Sequence, residues 1–369
     1  MKRADGEIGE VVRFVGEDDP RRAGEVLAQL ARAPPVRGVY RERAVADVGH
    51  QANGTLPPVT DPITFVLCIE QNAIRAQALL LCESIRTFGG RWRDAPIVAV
   101  APRPGLGVDH DTQQRLAALN VRYVEASINE CCPEYGSANR VFAAAWAEPR
   151  AASEWIVVLD SDAVVLGEID LPDGDVGVRP ADSKGTTTAG PGDPFETYWS
   201  DLAAICGTTL DVLPFIECTI SGHRVRASYN GGLVIARRRN GLLARWADLF
   251  ARSVDRGLKP CPPDPIRAST GMVTPATAQY WGSNQAALAF TIWGTPTRVA
   301  ILPDAYNVPL HALAEQPHVP PRWRARPPVH VHYHWMFSPP HVDAAFAVLR
   351  TLGVPGFQLD WLQARLPLE

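Results

Sequence analysis

Three Asp-x-Asp triplets stand in the 369-residue chain: Asp109–Asp111, Asp160–Asp162 and Asp173–Asp175. Two carboxylates at this spacing on an extended segment project to one side and can converge on a single cation. Context separates the three. Asp109–Asp111 stands at a predicted helix start, where carboxylates cap backbone N–H groups. Asp173–Asp175 follows Leu-Pro and reads as a turn. Asp160–Asp162 alone ends an apolar run, Trp155 to Leu159, and is followed at once by Ala163-Val-Val-Leu166. Two acidic groups at the end of a buried strand are destabilising unless something positive neutralises them. Hard oxygen ligands suit Mg2+ or Mn2+, ions that also bridge phosphate oxygens.

Four further groups could do chemistry. His330, His332 and His334 alternate, so an extended backbone would put all three on one face. With no cysteine pair beside them, a pure zinc site is disfavoured, and buried structural histidines are the plainer alternative. Asn230-Gly231-Gly232 reads either as a tight turn or as a place where a ligand comes close to backbone, with the amide on sugar hydroxyls. Arg140 offers a planar donor fork suited to phosphate, or is a helix-surface arginine. Glu70, after the first predicted strand, is placed for base or ribose contacts or for capping the next helix.

The elements that must position these groups alternate in type. Apolar runs at 63–69, 96–102, 121–126 and 155–160 read as buried parallel strands, and the segments 73–88, 111–119 and 138–147 as helices between them. That rhythm defines an α/β fold with ligands at the carboxyl ends of the strands. Beyond Asp162 the rhythm changes. A Gly/Asp/Pro/Thr-rich loop (167–194) precedes a helix at 195–205, strands at 217–228 and 229–236, and a helix at 241–254. A proline-rich loop (258–275), a helix at 277–290, the strand at 299–303 and the histidine segment 329–337 follow. Residues 1–60 read as an N-terminal extension, with one short amphipathic stretch and no catalytic pattern; residues 61–369 read as a single domain.

The run EWIVVLDSDAVVL resembles the DxD element of GT-A nucleotide-sugar glycosyltransferases, especially the glycogenin-like branch and its bacterial relatives. Four features follow the family's order: FVLCIE with its following helix, Ser137-Ala-Asn139-Arg140 where relatives often carry Asn-Lys, Tyr229-Asn230-Gly231-Gly232, and His332-Tyr333-His334. The resemblance spans about residues 63 to 337. It implies Asp160, Asp162 and His332 or His334 on Mn2+ or Mg2+, and a nucleoside-diphosphate sugar, a UDP-sugar first, held by Cys68, Glu70, Asn139, Arg140, Ser161, Gly231 and Gly232. It implies Asn230, Asn284 and Gln285 beside the transferred sugar. Relatives commonly carry a carboxylate where Asn284 stands, and an amide has no proton to give or take near neutral pH, so no base is assigned there. The partners are then a sugar donor and an acceptor hydroxyl.

Two rivals share parts of the pattern. A haloacid-dehalogenase-type phosphatase also has an apolar strand ending in DxD, but there the motif opens the domain and an acidic pair follows downstream. A non-catalytic nucleotide-sugar or glycan-binding protein is favoured by Asn284 and disfavoured by an intact DxD and HxH. Composition excludes other classes. With 36 basic against 40 acidic residues and a net charge of −4, no basic stripe exists to neutralise nucleic-acid phosphates. No run of 18 uncharged apolar residues occurs, and seven cysteines without a CxxC read as reduced thiols, so a soluble cytoplasmic protein is expected.

Overall fold

The structure, a computed structural model, describes residues 61–264, 266–268 and 271–368. The extension assigned to residues 1–60 lies outside the described residues. The first half builds the predicted alternation: β1 (Asp61–Cys68), α1 (Ile74–Phe88), β2 (Ile97–Ala101), α2 (His110–Ala118), β3 (Val121–Glu125), α3 (Asn139–Ala147) and β4 (Ser153–Leu159). Each boundary lies within two residues of the sequence reading. Asp109 caps α2, its carboxylate accepting from Thr112 N at 2.8 Å, as its position before the helix predicts.

The second half departs in detail. The apolar run after the DxD is a strand, β5 (Ala163–Val165), and the loop read over 167–194 contains β6 (Val176–Pro180). After α4 (Glu196–Ile205), the strand read over 217–228 is a hairpin, β7 (Phe215–Glu217) with β8 (Arg224–Arg226). Then come β9 (Tyr229–Arg237), α5 (Leu242–Asp255) and, inside the proline-rich loop, the paired strands β10 (Ile266–Ala268) and β11 (Gly271–Val273). The helix read over 277–290 is two, α6 (Pro275–Ala278) and α7 (Ser283–Trp293), broken where Gly282 adopts a φ of +83°. A Cβ on Gly282 would lie 2.1 Å from the Thr186 hydroxyl, so contact as well as conformation demands glycine. The chain closes with β12 (Val299–Ile301), β13 (Val308–Pro309), α8 (Leu310–Ala314), β14 (His330–His332), α9 (Val342–Thr351) and α10 (Gly356–Gln363).

Seven strands form the central sheet in the order β12-β6-β9-β4-β1-β2-β3. β4-β1-β2-β3 are parallel, and β9 runs antiparallel between β4 and β6. Both faces are buried, which is why these strands read as near-continuous apolar runs. Alternation still decides which core each side chain joins. Trp155, Val157 and Leu159 of β4 pack with β1 and α1 on one face, whereas Ile156 and Val158 join the core under α3, α5 and α7 on the other. A smaller sheet, β13-β14-β5, lies beside the DxD and carries a third apolar cluster with α8, α9 and α10. Among the described residues no helix is long and apolar enough to cross a membrane.

Candidate active site

β4 ends at Leu159, so Asp160, Ser161 and Asp162 form the turn between β4 and β5. Three backbone ties fix it. Asp160 N donates to Gly232 O at 3.0 Å, Ser161 Oγ donates to Cys68 O at 2.5 Å, and Tyr333 N donates to Asp162 O at 3.0 Å. The last tie extends the antiparallel ladder in which His332 faces Ala163 and Val331 faces Val164. The apolar residues after the DxD therefore bring a histidine 170 positions later to the carboxylates.

The geometry at this junction is close. His332 Nε2 lies 3.2 Å from Asp162 Oδ1 and 3.5 Å from Asp160 Oδ2, and His334 Nδ1 lies 3.4 Å from Asp162 Oδ2. β14 ends at His332. His334 reaches the site because its own φ is +52°, and the two imidazoles stack at 4.0 Å. The donor atoms of Asp162, His332 and His334 all lie within 4.8 Å of one another. Neighbouring ligands around Mg2+, each ~2.1 Å from the ion, stand ~3 Å apart, and the observed separations match that spacing. Two carboxylates and two imidazoles form a donor set for a divalent cation, the carboxylates suiting hard ions and the imidazoles favouring a transition metal over Mg2+.

The electrostatics of the site without a metal ion is set by the carboxylate–imidazole pairs. Burial opposes ionisation of Asp162, yet His332 and His334 together hold its carboxyl well below the usual range. Burial likewise opposes a charge on His332, but Asp162, Asp160 and Asp182 outweigh it and raise its pKa. Without a metal ion, the imidazolium and the Arg140 guanidinium, which pairs with Asp160 Oδ2, neutralise the carboxylates.

A cavity of about 690 Å3 opens beside this cluster. Cys68, Glu70, Asn139, Arg140, Ser161, Asn230, Asn284 and Gln285 line it, with the four Asp and His residues. Their partners refine the expected roles. Glu70 is wholly buried and does not cap α1. It accepts from Arg103 Nε at 2.8 Å and Asn139 Nδ2 at 3.2 Å, while the Asn72 side chain holds Ile74 N. Arg140 is no surface arginine: it is 9% exposed and faces Asp160. Asn230 Nδ2 donates to Asp182 at 2.9 Å, and its Oδ1 accepts from Gly232 N. The Asn284 amide donates to Ser137 O at 2.8 Å, a bond a carboxylate could not make.

Gly231 and Gly232 stand behind the cavity wall instead of lining it. A Cβ on Gly231 would meet the Arg140 guanidinium at 2.9 Å, and one on Gly232 would meet His332 Nδ1 at 2.5 Å. Their small size makes room for two site side chains. A direct approach by ligand, the sequence-based expectation, is not what the geometry demands of them.

Three cavity residues carried no signal in the sequence. Asp182 follows β6, is held by Asn230 and by Thr219 Oγ1 at 3.2 Å, and burial pushes its pKa up. Arg103 follows β2 and pairs with Glu70. His311 on α8 packs edge-on against His334 at 4.0 Å, and burial lowers its pKa to about 2, which keeps it neutral. Each comes from a different element, and no local spacing links them.

The chain matches the Rhodobacterales glycosyltransferase domain over residues 65–262, more than half its length, and it belongs to that family. No curated protein matches it. Among solved structures it is similar to the galactosyltransferase LgtC in complex with donor and acceptor sugar analogues. The identity is 14% and the TM-score 0.43, covering 82% of this chain and 100% of that one. It is also similar to the apo form of the bifunctional glycosyltransferase WbbM, with 12% identity and TM-score 0.41 over 85% of this chain, which spans 53% of WbbM. A third likeness is to core-mannan synthase A of Aspergillus fumigatus in its Mn/GDP form, with 8% identity and TM-score 0.40 over 69% of this chain and 80% of that one.

Proposed function

We propose that the protein is a metal-dependent glycosyltransferase that moves a sugar from a nucleoside diphosphate, a UDP-sugar first, to an acceptor hydroxyl. The observation that carries this reading is the convergence of Asp160, Asp162, His332 and His334 at one wall of the cavity. Those four residues would hold Mn2+ or Mg2+, which as a Lewis acid stabilises charge on a departing diphosphate.

The remaining roles follow from chemistry and placement. Glu70, Asn139 and Arg103 form one buried hydrogen-bonded corner at the carboxyl end of β1, suited to the nucleoside. Arg140 keeps Asp160 in place and turns its remaining donors to phosphate oxygens. Asn230 and Asp182 act as one unit on sugar hydroxyls, with Gln285 on the same cavity wall. Burial of these groups strengthens each polar contact relative to water.

The test is isotopic sugar release from UDP-, GDP- and ADP-sugars with and without Mn2+, in wild type and in Asp160→Ala and Asp162→Ala. Metal-dependent release that both variants lose supports the proposal. Wild-type release in both variants refutes the site. Tight donor binding with no turnover in wild type, under any acceptor tried, makes the protein a binding module instead.

A further inference from the structure

Away from the cavity, one surface segment carries charge that the proposed function does not use. Residues 317–328 read PHVPPRWRARPP and hold three arginines, Arg322, Arg324 and Arg326, in a chain of net charge −4. All three are exposed. Arg322 lies over the Trp323 ring and Arg326 over the Tyr306 ring, each at 5.5 Å, and among the described residues none of the three has a carboxylate in ion-pair contact. The acidic side chains behind the segment are taken. Asp304 holds Arg179, which itself lies over Trp323, and Asp170 accepts from the Tyr306 hydroxyl. The segment is also pinned. Trp323, 3% exposed, enters the apolar cluster of α8, α9 and α10, and prolines at 317, 320, 321, 327 and 328 fix φ on both sides.

A groove of about 410 Å3 opens beside these arginines. Arg324 stands in its wall with Leu313, Val319, Ala347 and Val348. Unpaired cations and apolar surface therefore meet at one place. α8 separates this groove from the cavity of the candidate active site, and Gln316, just past α8, lines both.

We infer that this face docks on an anionic lipid bilayer, with Arg322, Arg324 and Arg326 on headgroup phosphates and the groove taking apolar lipid from the interface. Two modest signals combine. A guanidinium fork matches phosphate oxygens, and each arginine near an anionic leaflet adds about fivefold in affinity. Charge attraction plus buried apolar surface is the pairing that holds proteins at a membrane interface without spanning it. Because the arginines are held outward by a proline-bracketed segment, little side-chain order is lost on docking. A free phosphate would use the arginines and leave the groove empty. Docked this way, the molecule keeps the α8 wall of its cavity next to the lipid surface. The docking does not depend on the proposed activity.

The experiment is vesicle co-sedimentation of the full chain with phosphatidylcholine alone and with added phosphatidylglycerol, at low and high NaCl. Binding is expected only where phosphatidylglycerol is present and is expected to fall as salt screens it. Combining Arg322→Gln, Arg324→Gln and Arg326→Gln should weaken it about 100-fold. Val319→Asn, which removes apolar wall without adding charge, should weaken it by a smaller factor. Thermal melting confirms that both variants fold. Inorganic phosphate, at the concentration of the lipid phosphate, should not displace the vesicles. Equal binding to phosphatidylcholine alone, no binding to either vesicle, or wild-type binding by either variant overturns the inference. Displacement by inorganic phosphate overturns it in favour of a phosphate pocket, and tighter binding to polyglutamate than to the vesicles overturns it in favour of an acidic protein partner. Sugar release from a soluble donor without vesicles, expected to be unchanged in the triple variant, reads the proposed activity separately. Its absence in wild type sinks that activity and leaves the vesicle result to decide the docking.

Discussion

Adding one methyl group at Gly232 is the sharpest perturbation of the site that leaves every polar residue in place. In Gly232→Ala the new Cβ would lie 2.5 Å from His332 Nδ1, 2.7 Å from His332 Cε1 and 2.8 Å from Asn307 Oδ1. Real Cβ atoms do not approach other heavy atoms so closely, so the imidazole must move. It is 3% exposed and held by β14 on one side and the stacked His334 ring on the other, which leaves little room to yield. Overpacking of this kind costs about 1–3 kcal/mol. If His332 relieves the strain by leaving the carboxylates, metal binding must restore it. Mn2+ affinity then falls by about 5- to 150-fold, at 1.4 kcal/mol per tenfold. If His332 stays, the strain appears instead as lost stability, a melting temperature lower by about 1–2 °C per kcal/mol for a chain of this length. Calorimetric Mn2+ titration and thermal melting of the same samples read both. A Gly232→Ala protein that binds Mn2+ and melts as wild type does would refute this packing.

Four other outcomes follow from the same geometry. Arg103→Ala strands the wholly buried Glu70 carboxylate, which retains only Asn139 and Asn72, and should lower unfolding free energy by about 3–5 kcal/mol in urea titrations. Asn284→Asp sets a carboxylate against the Ser137 carbonyl and should destabilise by about 1–3 kcal/mol at neutral pH, read by the same titrations. The metal-free protein should lose stability on both sides of a window. The depressed Asp162 stabilises above its unfolded pKa and loses that contribution as pH falls through its folded value. The raised His332 stabilises below its unfolded pKa and loses that contribution as pH rises through its folded value. Mn2+ affinity should rise with pH over the upper side of that window, because the ion displaces the His332 proton.

The parallel half of the sheet was legible because its strands are buried on both faces and its helices carry clear stops, such as Gly89 after α1. The DxD stood out for a local reason, two carboxylates at the end of an apolar strand. His332 and His334 were found through their ordered place after the other motifs. The ladder between β5 and β14 that joins them to Asp162 pairs segments some 170 residues apart and leaves no local trace. Asp182, Arg103 and His311 are single residues on separate elements, and their convergence is a property of the tertiary fold. The glycines of the Asn-Gly-Gly triplet showed that close approach was needed, and the structure shows what approaches: the side chains of Arg140 and His332. The small strands β5, β6, β10 and β11 leave little trace in the sequence because three to five residues carry too little periodicity to separate them from turns.

The proposed activity requires that Asp160, Asp162, His332 and His334 hold a divalent cation. Anomalous scattering at the manganese edge, from crystals grown with Mn2+ and a nucleoside diphosphate, tests it directly. One strong peak is expected among the Asp162, His332 and His334 donor atoms, weakened or lost in Asp162→Asn. A peak elsewhere in the cavity, or none at full Mn2+ saturation, would contradict it.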